Sequence, residues 1–307
     1  MIQSIADDVK QQFRMGNMVT RIIIVNVAVF ILINLVNLFF TFSTGFEPGD
    51  KFGQYIQYLF LHQDLIFDVK HPWVIFTYMF VHLGFMHILW NMLLLYWFGR
   101  IVGDFIGDYR ILPIYLLAGL MGGILYLITA PFIYEAGSTV HGASGAVMGI
   151  IVVAGMIAPE YGMRLILIGD VKLKYIVLTL IFLDLVAIAN MSNIGGHFAH
   201  LGGMIFGVLY VRLLREGNDL AAPVNRLLDW FKNLFSDEDG TRKLAKSKKQ
   251  RKVFVRYRNE SGGKAPKDDI PTDFQERLDL ILEKIKASGY DSLTDEEKEF
   301  LFQASKK

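Results

Sequence analysis

Six apolar runs, separated by polar or turn-rich stretches, set the plan of this chain. They cover about residues 22–42, 83–103, 111–131, 144–158, 175–190 and 197–215. Runs of roughly 20 apolar residues have the length of bilayer-spanning helices. Asn26, Asn34 and Asn37 in the first run are expected to face other helices rather than lipid. The third has Pro113 near its entry and Pro131 at its exit. The fourth begins at Ser144 and is ended by Pro159. At 1.5 Å per residue it reaches only roughly 22 Å, against a hydrocarbon core of about 30 Å. Its helix is therefore expected to start below the membrane surface, with residues 137–143 dipping in as non-helical backbone. Such backbone persists at that depth only inside protein or beside a wet cavity.

The remaining segments are polar or amphipathic. Residues 1–21 form a lead carrying Lys10, Arg14 and Arg21. Within the long connection 43–81, Tyr55 to Leu61 is too short to span and rich in aromatics, which suits the membrane interface. After residue 216, Val224 to Phe235 has helical periodicity and reads as a helix on the inner leaflet. Residues 242–258 carry nine Lys or Arg, and 259–272 read as a Gly/Pro/Lys/Asp linker. Residues 273–305 read as two short helices joined at Gly289-Tyr290, the second opened by a capping box of Thr294 and Glu297. The expected fold class is all-α. It is a polytopic bundle of six transmembrane helices at 22–216, after a lead at 1–21. An amphipathic helix and basic linker follow at 217–272, then a small soluble helical tail at 273–307.

Composition agrees, with 53% hydrophobic residues and 24 Phe. The absence of cysteine removes disulfides, cysteine nucleophiles and thiolate metal sites. The apolar run after Arg21 is too long for a signal-peptide core and lacks a convincing cleavage motif, so it reads as a retained helix. Counting Lys and Arg in the short loops sets the orientation. With the N-terminus inside, the inner segments hold Lys10, Arg14, Arg21, Arg100, Arg110, Arg164, Lys172, Lys174, Arg212 and Arg215. The outer loops hold only Lys51 and Lys70. Both termini are thus expected to be cytoplasmic, and Ser144 to lie towards the outer side. The basic run 242–258 reads first as a solvated linker and second as a contact for anionic lipid. No nucleic-acid partner is expected.

Candidate chemistry begins at His141-Gly142-Ala143-Ser144-Gly145, which sets one hydroxyl where a polar loop becomes an apolar run. On the last run, Gly203 and Gly207 share a helix face with His200. They match a small pair, Gly145 and Gly149, on the fourth run. Small residues let membrane helices approach closely. A contact there would bring a hydroxyl and an imidazole together, the minimum needed to activate serine. On the glycines alone, ordinary glycine-mediated packing around a buried histidine is the better explanation. His87 and Asn91 lie four apart on one face of the second run, with His82 in its lead-in. Both can donate to a developing oxyanion, together with the Ser144 N–H. Taken alone, Asn91 reads more simply as an interhelical hydrogen-bonding residue. Together, all fall towards the outer ends of their runs.

These residues resemble the rhomboid intramembrane serine proteases. Gly142-Ala143-Ser144-Gly145 fits the family's Gly-x-Ser-Gly. Ala199-His200-x-x-Gly203-x-x-x-Gly207 fits the last core span, and His82-x4-His87-x3-Asn91 fits the second. The resemblance covers about residues 20–215. It implies a six-helix rhomboid-like core whose water-filled cavity opens outward, with a Ser144–His200 dyad and no third acid. It also implies an oxyanion site from His87, Asn91 and the Ser144 N–H. His82 is implied in the same cavity, and Gly142 in the loop shaping it. The implied activity is cleavage of single-span membrane proteins in or near their membrane segment, at small residues with a destabilised helix beyond. Two departures stand out. The Trp-Arg pair common in the first loop is Trp73-Val74 here, and the aromatic that some members carry four residues after the nucleophile is Met148, which is able to offer a sulfur contact to the imidazole.

The expected function is therefore an intramembrane serine endopeptidase in a bacterial inner membrane, using no cofactor. Its partners would be transmembrane protein substrates and the bilayer; its oligomeric state is left open. The alternative is a non-catalytic rhomboid-like chaperone or scaffold for client helices, against which retention of both Ser144 and His200 argues. A transporter would be expected to carry inverted repeats, which are not apparent. Asp184, inside the fifth run, is a formal candidate for a third triad member. It reads more simply as paired with a nearby donor, such as an Asn or Tyr, or facing the cavity. His197 reads as a cavity-lining neighbour, and the role of His141 is left open. No His-Glu-x-x-His is present, so no metal site is expected.

Overall fold

The computed structural model describes residues 2–43, 51–133, 138–165, 169–190 and 193–235. In the C-terminal segment it describes residues 278, 280, 281, 283–285 and 293–304. The basic run 242–258, the linker 259–272 and the Gly289-Tyr290 junction fall outside these residues. Two compact units divide at Glu238/Asp239.

In the first unit, α1 (Ile2–Met15) precedes α2 (Met18–Ser43). Short pieces then fill the long connection: α3 (Lys51–Ile56), β1 (Leu61–His62), α4 (Leu65–Lys70) and α5 (Val74–Thr77). Next come α6 (Phe85–Ile106), α7 (Ile111–Ile133), β2 (Thr139–Val140) and α8 (Ser144–Ile157). A hairpin of β3 (Gly162–Leu165) and β4 (Gly169–Lys172) leads to α9 (Leu173–Ala189), α10 (Ile194–Arg215) and α11 (Ala221–Phe235). Four stretches are long and apolar enough to cross a membrane: Met18–Ser43, Phe85–Ile106, Asp108–Phe132 and Ile194–Arg215. The 14-residue α8 is apolar but shorter, and α9 has 17 residues.

The core is organised around α8. Eleven of its residues, Gly145 through Gly155, are buried, and α6, α7, α9 and α10 all pack on it. A helix apolar on every side belongs at the centre of a bundle. Glycines explain how close its neighbours come. A β-carbon on Gly203 of α10 would collide with the Gly145 carbonyl oxygen, and one on Gly207 would lie 2.7 Å from the Gly149 oxygen. On the other side of α10, a β-carbon on Gly202 would lie 2.5 Å from the Met121 oxygen of α7. Thus α10 runs backbone-to-backbone between α7 and α8, in the manner of small-residue membrane interfaces.

The peripheral elements follow their patterning. On α11, Leu227, Trp230, Phe231 and Leu234 are exposed, an apolar stripe suited to an interfacial helix. Arg110 and Asp219 form an ion pair at 2.8 Å just before it. The β3–β4 hairpin, read from the sequence only as a loop, pairs Gly162 with Lys172 through Leu165 with Gly169. Lys172 and Lys174 both pair with Glu160 beside it.

In the second unit, α12 (Asp295–Ala304) opens with the expected capping box. The Glu297 N–H donates to the Thr294 hydroxyl at 3.3 Å, and the Thr294 N–H to Glu297 Oε2 at 2.7 Å. Lys284 pairs with Glu297 at 2.8 Å.

Candidate functional site

The polar residues gather at the N-terminal end of α8. Before it, residues 138–143 run as non-helical backbone tied to β1, Tyr78 and His82. β2 pairs antiparallel with β1, Leu61 opposite Val140 and His62 opposite Thr139. The Gly142 N–H then donates to the Tyr78 carbonyl at 2.8 Å, and the Ala143 N–H to His82 Nε2 at 3.2 Å. Each bond answers the cost of an unsatisfied amide in an apolar surrounding. Gly142 has φ of +120°, a region an L side chain rarely enters. A β-carbon there would stand 2.6 Å from His87 Cε1. The loop can therefore press against the His87 ring only because this residue is glycine.

Ser144 opens α8, where the first turn leaves N–H groups without helical acceptors. It lines a cavity of about 500 Å3 together with His87, Asn91, His141, Met148, Asn193 and His200. The sequence motifs of three separate helices thus meet at one cavity. No hydrogen bond joins the Ser144 hydroxyl to His200; the two side chains share only the cavity wall. Asn91 Nδ2 donates to the His87 carbonyl at 2.8 Å, which holds one of its two amide hydrogens. The glycines Gly145, Gly203 and Gly207 act from behind, by letting α8 and α10 touch.

Three expectations are corrected. His82 does not line the cavity: it is wholly buried beneath the loop, accepting the Ala143 N–H. Accepting at Nε2 puts its proton on Nδ1. It therefore supports the backbone just before Ser144 rather than facing the cavity. His197 is also absent from the lining. Its Nδ1 donates to Asp184 Oδ1 at 2.5 Å. Asp184 is paired with nearby donors, as expected, but these are two histidines rather than an Asn or Tyr, and with them the expectation of no third acid fails. Its Oδ1 accepts from both His197 and, at 2.6 Å, His200 Nδ1. An acid therefore does stand on His200. The reason is that α9 lies beside α10 and turns Asp184, 6% exposed, onto the face carrying His197 and His200. Of these contacts the sequence carried one signal: Asp184 is the only acidic residue between Lys174 and Arg212.

The neighbours complete the picture. His141 stacks on Phe60 with ring centres 4.3 Å apart and lies 6.0 Å from the His87 ring. Trp73 donates from its indole N–H to the Tyr58 carbonyl at 2.8 Å, and Val74 is buried. Asn193, at the start of α10 with φ of +41°, is a cavity residue that sequence reading passed over. Asp184, His197 and His200 hold their ligating atoms within 4.8 Å of one another, the kind of set that can bind a cation. Separations of 2.5 and 2.6 Å are those of hydrogen bonds. A shared ion at about 2.0–2.2 Å from each ligand would need the rings to draw back from the carboxylate.

Comparison with known proteins bears on the same region. A family model described as a rhomboid domain matches residues 69–217. A second, described as a family of unknown function, DUF6576, matches residues 272–307. The protein YdcA of Bacillus subtilis is 34% identical over 138 residues, covering 45% of this chain and 64% of that protein. The rhomboid protease GluP of Bacillus subtilis is 30% identical over 136 residues, covering 44% of this chain and 24% of its own. RHOMBOID-like protein 12, mitochondrial, of Arabidopsis thaliana is 32% identical over 155 residues, 46% of each chain. This chain thus spans less than two thirds of the length of each of these relatives.

Proposed function

The chain belongs to the rhomboid family and is an integral membrane protein, and from that premise we propose that it is an intramembrane serine endopeptidase. The observation that carries the reading is that Ser144, His200, His87 and Asn91, from three different helices, line one cavity. Its substrates are single-span membrane proteins, cut in or near the membrane segment at small residues where the helix beyond unwinds readily. The four long helices together with α8 and α9 form six spans. Both termini face the cytoplasm of a bacterial inner membrane, and the cavity opens on the other side. Residues 242–258 touch anionic lipid.

Chemistry follows from the atoms at hand. Ser144 Oγ attacks the scissile carbonyl carbon while its proton passes to His200 Nε2. The carbonyl oxygen gains the negative charge and is held by the Ser144 N–H, Asn91 and His87. Collapse breaks the C–N bond, and the departing amine takes the proton from His200. Water then attacks the acyl-enzyme with His200 again as base, releasing the acid and restoring Ser144. The short α8 serves this by starting the serine below the surface, where water reaches it only through the cavity.

A client-binding scaffold would need no reactive serine. A fluorophosphonate probe separates the two readings: it is expected to label the wild-type chain, and to label neither Ser144→Ala nor His200→Ala. Equal labelling of wild type and Ser144→Ala would overturn the assignment of the nucleophile.

A further inference from the structure

We infer that Asp184 is the positioning residue of the catalytic base, so that the working unit is Ser144–His200–Asp184 with His197 as a second donor on the same carboxylate oxygen. This rests on the protease reading above and goes beyond its dyad.

Asp184 sits within the apolar helix α9. A carboxylate inside an apolar helix is costly in a membrane and persists where donors meet it. Both donors here are imidazoles on one face of α10, three residues apart. Their rings stand edge to face at 5.2 Å. His197 Nδ1 lies 2.5 Å and His200 Nδ1 2.6 Å from the same Oδ1. An ionised carboxylate only accepts, so both imidazoles carry their hydrogen on Nδ1. For His200 this fixes the tautomer. Its Nε2 is left with a free lone pair, the state required to receive the Ser144 proton. The opposite tautomer would have Nε2 already protonated and no basic atom to offer.

During acylation the Ser144 proton arrives at Nε2 and His200 becomes an imidazolium. The Nδ1 proton stays on Nδ1, and Asp184 stays ionised beside it. A fixed negative charge against a developing positive one in a poorly screened site favours that step. His197 acts in the other direction. By donating to the same oxygen it draws off part of the carboxylate's capacity to support His200. The contact therefore makes a prediction that a mere clasp between α9 and α10 does not. Removing Asp184 makes His200 a weaker base, whereas removing the His197 donor makes it a stronger one.

The test uses the full-length protein in proteoliposomes with a single-span model substrate. Asp184→Asn is expected to lower kcat by about 10²-fold or more, with KM within about threefold, and Asp184→Glu to recover part of the loss. The titratable groups facing His200 are Asp184 from α9, His197 from α10 and His87 from α6, with His141 from the loop before α8 on the same cavity. Against that fixed background, the acid limb of kcat/KM is expected to move to lower pH in Asp184→Asn and to higher pH in His197→Phe. An unchanged kcat and pH profile in a folded Asp184→Asn would overturn the inference. Should Asp184→Asn fail to fold, an unmoved acid limb in His197→Phe would overturn it instead. Cleavage that persists in Ser144→Ala would strike the protease reading itself, which separates the two failures.

Discussion

Gly203 of α10 lies so close to the carbonyl oxygen of Gly145 on α8 that a β-carbon on it would overlap that atom. This contact sets the distance between the helix that begins with Ser144 and the one that carries His200. Gly203→Ala must push the two apart or strain both. Overpacking of this kind costs about 1–3 kcal/mol. The expected outcome is a lowered melting temperature in detergent together with a larger loss in kcat than in substrate binding. A variant with wild-type melting and wild-type turnover would show that the contact tolerates a methyl group.

Gly142 has a positive φ and faces His87, so Gly142→Ala meets two obstacles at once. The backbone strain costs on the order of 1–3 kcal/mol. The added methyl also displaces the ring of a proposed oxyanion donor. Cleavage is expected to fall by at least about tenfold, while fluorophosphonate labelling of Ser144, measured in parallel, reports whether the nucleophile itself survives.

Asp68 predicts a pH dependence outside the spanning helices. Burial pushes its carboxyl up from 3.8 to about 6, against the opposing effect of the His62 N–H that it accepts at 3.1 Å. A raised carboxyl pKa means that the folded chain holds this proton more tightly than the unfolded one. Its contribution to stability is complete below about pH 4 and is lost as pH rises through about 6. Thermal unfolding across pH 4–7 is therefore expected to show a falling component that Asp68→Asn removes.

In the second unit, Thr294 and Glu297 exchange reciprocal bonds at the start of α12. Thr294→Ala is expected to cost about 1 kcal/mol of local stability. Hydrogen exchange of the amides in 295–304 should then speed up relative to wild type.

How much of this was legible beforehand depends on the range of each signal. Apolar runs located α2, α6, α7 and α10 because span length is a local property. The shortness of the run after Ser144 was readable from Pro159. Thr294 and Glu297 announced their cap because both partners lie within one turn. The Asp184 contact was legible only as a formal candidate. Its partners lie 13 and 16 residues on, across a break, and the rotation of α9 against α10 decides whether they meet. His82 was misjudged for a related reason. A motif gives its place on the chain, but only packing tells whether it faces the cavity or the underside of the loop. The hairpin 162–172 did carry an alternating pattern, which proximity to the apolar runs obscured.

The most direct measurement is cleavage of a single-span model substrate by the full-length protein in proteoliposomes, wild type against Ser144→Ala, with fragment masses read by mass spectrometry. The wild type is expected to give a defined cut in or near the membrane segment, and Ser144→Ala none at equal folding. Identical fragments at identical rates from both proteins would contradict the protease reading.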